Sequence, residues 1–578
     1  MTRIPRLLGL ALALSAMVLG PLVALAPPAH AATFTVTANR ITANPVTDDP
    51  EPDGCAADDC SLREAVLAAE TAPGADMITF AASGTIALGR TGVESGAFND
   101  LDVTQDLTVT GHVDGTEITA AGLGLSDHSR HFDVVGVALR LSDLRLSGAE
   151  TSGNGGAILA TNSPLTLEGV NLVGNDAGGS GGAVYLASSA LDVTGSQFAS
   201  NRSAFNGGAI GSDDYIAIAI QTSRFTGNIA GVAVGGAEFP GGHGGAIDAN
   251  GADVDALMHI SRSTFDYNAA QWPGGTPRGG AIHIAHGEVE ITDSEVLTNG
   301  VDDAGNVVTD LGGGIASSAR SSYLRILNSS VFSNKALQAG GGLYLITGGA
   351  TVYQSTVAGN AAVQGVGGGL AIVGLGLVAN STVSVNTAAS GGGAAHVGLG
   401  LIDSDALLGI IHTTVADTTG PVPALHVAAG SAVELQSSII TGSESGNCGG
   451  TGIVASMDHN LEDADDCSLT AAGDLTNTDP MLGPLADNGG QPQGPGGVGI
   501  GLTHALLAGS PAIDSSPTAL CGVGVFAVDQ RDVARPQGPA CDRGAYEAVS
   551  APDPDPDPDP DPDPDPEIPP ACDESAPG

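Results

Sequence analysis

The chain has few aromatic side chains and almost no lysine. Aromatic residues make up 3% of the sequence, with a single Trp, and Lys335 is the only lysine. This scarcity argues against a Schiff-base enzyme or a Walker-type phosphate loop, since both depend on lysine. The 18 Lys and Arg are outnumbered by 64 Asp and Glu, which gives a formal net charge of −46. We therefore expect no nucleic-acid partner, because the phosphate backbone would repel the chain.

Helical periodicity is also missing from the long middle of the chain. Apolar residues make up 42% of the 578 residues, mostly Ala, Val, Ile and Leu, and they stand beside 86 Gly. This fraction is too high for wholesale disorder. Small and β-branched side chains suit closely spaced strands better than a helical bundle. The composition predicts an all-β protein.

The N-terminus carries the only long apolar run. Arg3 and Arg6 precede the run at residues 7–26, and two prolines and the small-x-small sequence at 29–31 follow it. This order predicts a secretory signal peptide over residues 1–31. The alternative is an uncleaved membrane anchor, but the prolines and the Ala-His-Ala sequence favour cleavage. We expect a secreted, extracellular protein, in part cell-surface associated, with no membrane insertion after cleavage.

Seven cysteines fit an oxidising compartment. None lies in a spacing typical of a zinc site. Pairing by proximity suggests three disulfides and leaves one cysteine over: Cys55–Cys60, Cys448–Cys467 and Cys521–Cys541, with Cys572 unpaired.

One sequence motif recurs through the middle of the chain. It consists of an apolar residue, two variable residues and an Asn, followed after a short gap by Gly-Gly, a small residue and an aliphatic residue. Three of the intervals between successive Asn residues are 26 residues long. One unit shows three short strand patterns, at 183–187, 190–194 and 197–200. The repeated Asn residues are Asn175, Asn201, Asn228, Asn268, Asn299, Asn334, Asn360 and Asn386.

Three strands in a turn of this length predict a right-handed, single-stranded parallel β-helix. The handedness follows from the general rule for parallel crossovers. Residues 101–460 leave room for about thirteen turns and a rod of about 60 Å. We expect the repeated Asn to adopt a left-handed backbone and to form an amide ladder. The Gly pair would allow a corner at which a Cβ atom would clash.

A short helix is expected to cap the first turn. Ser61 and Glu64 form a Ser-x-x-Glu capping box, and Pro73-Gly74 would end the helix. Leu62 and Val66 would face the first turn. Such a cap would cover strand edges that a solenoid otherwise exposes.

The two ends and the repeats resemble known exported proteins. The sequence CSLREAV at residues 60–66 resembles the CSLREA-motif domain, and the repeats are similar to the FxxN and GGAI repeats of chlamydial polymorphic outer-membrane proteins. Residues 480–547 resemble the choice-of-anchor Q domain, through the sequences at 487–490, 503–507, 509–514, 529–531, 535–536 and 542–547. The resemblance implies a secreted or surface solenoid with no assigned catalytic residues. The chain departs from it in an alternating Pro-Asp tail, which predicts a stiff solvated spacer.

These features predict five segments. They are the signal peptide 1–31, the N-terminal cap 32–100, the β-helix 101–470, a small C-terminal β domain 471–549 and a Pro-Asp-rich disordered tail 550–578.

Enzyme motifs are weak in this sequence. Many pectin-lyase-like β-helices cleave polysaccharides, but a shared fold does not imply a shared function. Three motifs similar to those of polygalacturonases occur, namely Asp213-Asp214, Gly242-His243-Gly244 and Asn477-Thr478-Asp479. In those enzymes the Asn-Thr-Asp motif comes first along the chain, whereas in this sequence it comes last. Residues 442–446 carry Glu at the centre, where a serine-hydrolase elbow has Ser. No catalytic residue is predicted.

Loop length gives the best candidate site. In three consecutive repeats the gap between the Asn and the Gly pair is longer, at 229–243, 269–278 and 300–311. Stacked turns would project these insertions side by side, with the only Trp among them. An exposed Trp beside carboxylates suits a neutral sugar or a glycan bound with Ca²⁺. The predicted patch comprises Glu238, His243, Trp272, Arg278, Asp302, Asp303 and Asp310, the last three being candidate Ca²⁺ ligands.

The leading hypothesis is an exported, noncatalytic surface or matrix protein of the adhesin type, with an extracellular glycan or a host or cell-surface protein as partner. The alternative is a carbohydrate-active enzyme, either a polysaccharide lyase or a glycoside hydrolase. A purely structural spacer is the third hypothesis. No cofactor is required by any motif, and Ca²⁺ is the one ion that the acidic residues suggest.

Overall fold

Each repeat of the sequence forms one rung of a parallel β-helix, as predicted. A computed structural model describes residues 31–37, 55, 59–88, 100–120, 130–234, 241–251, 256–398, 405–490 and 501–549. The predicted signal peptide, apart from Ala31, lies outside the described residues, as do Cys572 and the tail 550–578.

Three faces run along the rod, and short corner strands join face 3 to face 1. Faces 1 and 2 belong to one 26-stranded parallel sheet, and face 3 is a 14-stranded parallel sheet. Fourteen rungs at the usual strand spacing make a rod about 60 Å long. Right-handed winding stays a prediction.

Face 1 consists of β4 Leu101–Val103, β7 Phe132–Val135, β11 Ile158–Thr161, β15 Val184–Ala187, β19 Ile210–Asp213, β23 Ile247–Asn250, β27 Ile282–His286, β30 Ile315–Ser318, β40 Ala395–Val397, β43 Leu425–Val427 and β46 Cys448–Gly450. Face 2 consists of β1 Thr33–Val36, β2 Asp76–Phe80, β5 Leu107–Thr110, β8 Leu139–Ser142, β12 Pro164–Glu168, β16 Ala190–Thr194, β20 Ala217–Gln221, β24 Leu257–Ser261, β28 Glu288–Thr292, β31 Tyr323–Leu327, β41 Ala406–Ile411, β44 Ala432–Gln436 and β47 Ile453–Asp458. Two long strands, β34 Leu343–Tyr353 and β37 Leu370–Ala379, run through both faces.

Face 3 consists of β3 Gly84–Ala87, β6 Thr116–Thr119, β9 Leu144–Ser147, β13 Asn171–Val173, β17 Gln197–Ala199, β21 Arg224–Thr226, β25 Thr264–Asp266, β29 Glu295–Leu297, β32 Ser330–Phe332, β35 Thr356–Ala358, β38 Thr382–Ser384, β42 Thr414–Ala416, β45 Ile439–Ile440 and β48 Leu461–Glu462. The corner strands are β10 Glu150–Thr151, β14 Asp176–Ala177, β18 Arg202–Ser203, β22 Ile229–Ala230, β26 Ala269–Ala270, β33 Lys335–Ala336, β36 Ala361–Ala362 and β39 Thr387–Ala388. The repeat pattern predicted three strands per turn, and these two-residue corner strands are additional to them.

Inward side chains stack on their equivalents in the next rung and form the core. In face 3 the rings of Phe198, Phe225 and Phe265 are nearly parallel, with centroids 4.5 and 4.7 Å apart. This separation matches the spacing of neighbouring strands. One aliphatic row of face 1 runs through Ile158, Val184, Ile210, Ile247, Ile282, Ile315, Leu343 and Leu370.

The predicted Asn ladder is present and fully buried. Each side-chain amide from Asn175 to Asn360 donates to the Oδ1 of the next Asn, at distances from 2.9 to 3.1 Å. The same oxygen also accepts the backbone N–H of the preceding Asn in the ladder. The ladder therefore satisfies polar groups inside the corner that would otherwise be buried without partners.

The expected left-handed backbone does not lie at the Asn residues themselves. It lies at the residue before each one, such as Ser200 (φ 54°), Tyr267 (φ 56°) and Val385 (φ 48°). The preceding residue makes the turn, and the Asn can then direct its side chain along the rod.

A second ladder, of serines, precedes face 3 and was missed by the sequence analysis. The Ser196 hydroxyl accepts the Val170 N–H, and the Ser223 hydroxyl accepts the Ser196 N–H. The pattern continues through Ser263, Ser294, Ser329, Ser355 and Ser381. The sequence signal was a Ser two residues before the apolar residue of each repeat from Phe198 to Val383.

The Gly pair has the predicted role at the corner before face 1. Gly181 has φ of 71°, and a Cβ atom at Gly182 would lie 2.1 Å from the carbonyl oxygen of Gly208. The first glycine supplies the left-handed turn, and the second lets adjacent rungs approach each other.

The predicted cap is helix α1, Leu62–Thr71, which packs on β1, β2 and β4. Both hydrogen bonds of its capping box are formed: the Glu64 N–H donates to the Ser61 hydroxyl, and the Ser61 N–H donates to the Glu64 carboxylate. The three predicted disulfides are present as well, at Cys55–Cys60, Cys448–Cys467 and Cys521–Cys541.

The C-terminal segment folds back along face 3 and does not extend the rod. It contains one antiparallel pair, β49 Leu482–Ala486 with β50 Thr503–Leu506, and a short 3₁₀ turn at Gly524–Phe526. The Gln530 amide donates to the Thr356 hydroxyl at 2.9 Å and accepts from the Thr382 hydroxyl at 2.6 Å. The segment therefore covers the outward Thr side chains of the later rungs.

Candidate functional site

The three long corner loops lead into adjacent strands of face 1. His243, Arg278 and Leu311 are joined by single parallel bridges from rung to rung, directly before the Gly pairs. The structure therefore stacks the ends of these loops on one side of the rod. Glu238, in the first loop, lies outside the described residues.

The sequence-predicted residues His243, Trp272 and Arg278 come together at this place, and we call them the Trp272 surface. The rings of His243 and Trp272 meet edge to face, with centroids 5.6 Å apart. Trp272 is half-buried and lies against Gly275, where a Cβ atom would come within 2.0 Å of the ring. Because Gly275 leaves this space, the indole can lie flat along its own loop.

Two polar atoms of this surface are buried without a hydrogen-bond partner among the described residues. They are Nδ1 of His243 and Nε of Arg278. Burial, with smaller contributions from the neighbouring His283 and Arg278, lowers the pKa of His243 to about 3. The imidazole is therefore neutral at physiological pH, so one of its nitrogens can donate a hydrogen bond and the other can accept one.

The acidic residues of the predicted patch that the structure describes lie in different surroundings. Asp302 accepts hydrogen bonds from Ala304 and Asn306 within its own loop. A carboxylate oxygen of Asp303 lies 3.7 Å from a guanidinium nitrogen of Arg202. Burial raises the pKa of Asp310 above its ordinary value. A glycosidase needs two carboxyl groups facing one bond. The glycosidase alternative stays a prediction, since Glu238 of the patch lies outside the described residues.

Two other groups of side chains have the spacing of metal ligands in the described part of the chain. One consists of Asp466 with Cys448 and Cys467, whose sulfurs are already joined to each other in a disulfide. The other includes Asp100 and Asp133, and the Arg130 guanidinium lies 3.1 Å from a carboxylate oxygen of each. The arginine already supplies positive charge there. Neither group contains the predicted Ca²⁺ ligands.

A polar array next to the Trp272 surface was missed by the sequence analysis. Asp248 lies 2.6 Å from His283, which in turn lies 2.9 Å from Ser318. The His283 ring also contacts the His243 ring, with centroids 4.7 Å apart. The sequence did carry one indication of this array. Asp248 and His283 each follow the inward Ile of a Gly-Gly-Ala-Ile motif, and successive residues of a strand point to opposite faces, so both side chains point outward.

No helix in the described residues is long and apolar enough to cross a membrane. A scan against protein-family models gave no match to the chain. A search of the curated proteins gave no match either.

Proposed function

We propose that the protein is an exported β-helix that binds an extracellular glycan at the Trp272 surface. The predicted signal peptide supports export, and the three disulfides fit an oxidising compartment. The resemblance of its two ends to CSLREA-motif and choice-of-anchor Q proteins supports a surface or matrix role. The recurring sequence motif builds the rod, and the three long loops add the Trp272 surface to one side of it.

The observation that carries the proposal is the His243 ring against Trp272, with two unpartnered atoms, His243 Nδ1 and Arg278 Nε, on adjacent rungs. A sugar ring has an apolar face that can stack on an indole and a rim of hydroxyl groups. Those hydroxyls can both donate and accept hydrogen bonds, so they suit a neutral imidazole and a guanidinium at once. A buried polar group left without a partner costs about 1–3 kcal/mol, and a ligand hydroxyl would recover this once the side chain turns toward it.

The preferred ligand is a neutral sugar. The chain carries a formal net charge of −46, so an anionic polysaccharide would be repelled over most of the rod. Asp302 and Asp303 engage other groups in the protein, so a bound Ca²⁺ would have to displace those contacts before it could bridge a uronate.

A glycan array run with and without Ca²⁺ tests this proposal. We expect Trp272→Ala to reduce the signal on neutral glycans at least about tenfold, because it removes the stacking surface. Tyr267→Asn is the matched control: it removes another exposed aromatic ring, and Asn tolerates the φ of 56° at that position. Equal array signals from wild type and Trp272→Ala would overturn the proposal, as would binding only to protein partners.

A further inference from the structure

Three consecutive strands of face 1 bring an acid, an imidazole and a hydroxyl into one line. The Asp248 carboxylate in β23 lies 2.6 Å from Nδ1 of His283 in β27. Nε2 of His283 lies 2.9 Å from the Ser318 hydroxyl at the end of β30. This is the connectivity of a nucleophilic serine with its general base and the group that orients the base.

The strand register holds the three side chains in place. Asp248 pairs directly with His283 across neighbouring rungs, so their outward side chains lie one strand spacing apart. Ser318 comes after Ser317, which pairs with Ile284 in the His283 strand. The line therefore runs obliquely over hydrogen-bonded backbone, and each side chain is positioned by a regular strand.

The partners of His283 determine where its proton lies. An ionised carboxylate only accepts hydrogen bonds, so Asp248 requires the proton on Nδ1. Nε2 is then left with its lone pair directed at the Ser318 hydroxyl, which must donate. In this tautomer the imidazole can remove the hydroxyl proton during an attack by the serine oxygen.

Burial differs along the line in the way such a site needs. Asp248 and His283 are buried, and the His243 ring lies against His283. Ser318 is half-buried and lies at the more open end of the line, from which a substrate would approach. The base is therefore more shielded from water than the nucleophile.

An apolar cluster begins next to the serine, and its partly exposed edge consists of Leu311, Ile346 and Val366. Ser318 pairs with Ile346 in the next rung, and Ala316 in the same strand pairs with Tyr344. These residues belong to a small cluster of Leu311, Ala316, Ala339, Tyr344, Ile346, Val366 and Ala371. Arg278 lies beside this cluster, because a parallel bridge joins it to Leu311 of the next rung.

We propose that Asp248, His283 and Ser318 form an acyl-transfer site that hydrolyses carboxylic esters with a small apolar acyl group. This activity goes beyond glycan binding and does not depend on it. Ser318 Oγ attacks the ester carbonyl carbon while His283 Nε2 takes the hydroxyl proton, and the carbonyl oxygen becomes the oxyanion of a tetrahedral intermediate. The C–O bond to the alcohol then breaks, and His283 returns the proton to the leaving oxygen. Water, activated by the same imidazole, releases the carboxylic acid from the acyl-serine.

A fluorophosphonate probe and p-nitrophenyl butyrate test the proposal on the full chain. We expect the probe to label one serine, identified as Ser318 by peptide mass analysis. Ser318→Ala should lose labelling and reduce hydrolysis at least about 100-fold, with an unchanged melting temperature. The matched control is Ser445→Ala, which removes the hydroxyl of an exposed serine at a distant turn and should change neither readout.

Asp248→Asn tests the positioning role. An Asn side chain can donate to Nδ1, which favours the wrong imidazole tautomer, so kcat should fall at least about 100-fold while KM stays the same. Ser318→Cys provides a second variant at the nucleophile. Iodoacetamide should alkylate Cys at this position faster in the single variant than in the double variant that also carries Asp248→Asn, because only the single variant keeps the imidazole oriented as a base. Absence of probe labelling in the wild type, or hydrolysis that persists in Ser318→Ala, would overturn the proposal.

Discussion

The Asn201 side-chain amide donates a hydrogen bond to Asn228 Oδ1 at 2.9 Å, and the Asn228 amide donates to Asn268 Oδ1 at 3.0 Å. Asn228 Oδ1 also accepts the backbone N–H of Asn201. One side chain thus satisfies polar groups in both neighbouring rungs.

We expect Asn228→Ala to destabilise the protein by about 2–4 kcal/mol, because it leaves several buried donors and acceptors without partners. The measurement is the guanidinium unfolding midpoint followed by circular dichroism. Asn171→Ala is the control: Asn171 is half-buried in β13, outside the ladder, so this change should cost less than about 0.5 kcal/mol. Equal losses from the two variants would show that the ladder does not stabilise the corner.

Gly208 provides a second test, on the close approach of rungs. A Cβ atom there would lie 2.1 Å from the carbonyl oxygen of Gly245, which is backbone and cannot move aside cheaply. We expect Gly208→Ala to cost about 1–3 kcal/mol by thermal unfolding. At Gly195 a Cβ atom has open space and φ is 58°, so Gly195→Asn should be tolerated. A melting temperature for Gly208→Ala equal to that of wild type would contradict this account.

The sequence predicted those features that the repeat imposes on every rung. The Asn residues and Gly pairs recur at fixed offsets, so their common role could be inferred from spacing. The left-handed residue was misplaced because stacking imposes that backbone on residues as different as Ser200 and Val385, and they share no side-chain chemistry. The serine ladder was visible in the same way but was overlooked, because Ser is also common in turns.

The candidate site lay largely beyond sequence reasoning. Loop length correctly brought His243, Trp272 and Arg278 to one side of the rod, since insertions in stacked turns must project together. Asp248 and His283, by contrast, are 35 residues apart, and each is a single outward residue in a rung whose counterparts differ. Only the register of the strands pairs them, and register depends on the lengths of all the loops between them.

The return of the C-terminal segment along face 3 leads to a third prediction. Gln530 is buried and bonds both Thr356 and Thr382, residues more than 140 positions away in the chain. Gln530→Ala leaves two buried hydroxyls without this partner, at a cost of about 2 kcal/mol. We expect faster hydrogen exchange within residues 501–549 and unchanged exchange in the Asn ladder. Gln537→Ala, at an exposed side chain, should leave both unchanged, and uniform acceleration across the rod would contradict a local role.

Glu462, in the last rung, makes stability depend on pH. Its Oε2 accepts the Cys467 N–H, whereas Oε1 is buried without a partner among the described residues. Burial, reinforced by the charges of Asp466 and Asp465, raises the pKa of Glu462 to about 7. Because the folded state favours the protonated form, its contribution to stability is fully present below about pH 4.5 and is lost as pH rises to about 7.

Glu462→Gln should therefore match wild type near pH 4.5 and exceed its stability at pH 8 by about 2 kcal/mol, since Gln keeps an acceptor and carries no charge to bury. Thermal unfolding at the two pH values measures the difference in stability between wild type and Glu462→Gln. The other titrating groups are the same in both proteins, so their effects cancel in this difference. Glu444→Gln, at an exposed side chain, is the control and should show no such dependence. A stability difference that is the same at both pH values would mean that the buried charge of Glu462 is not its cause.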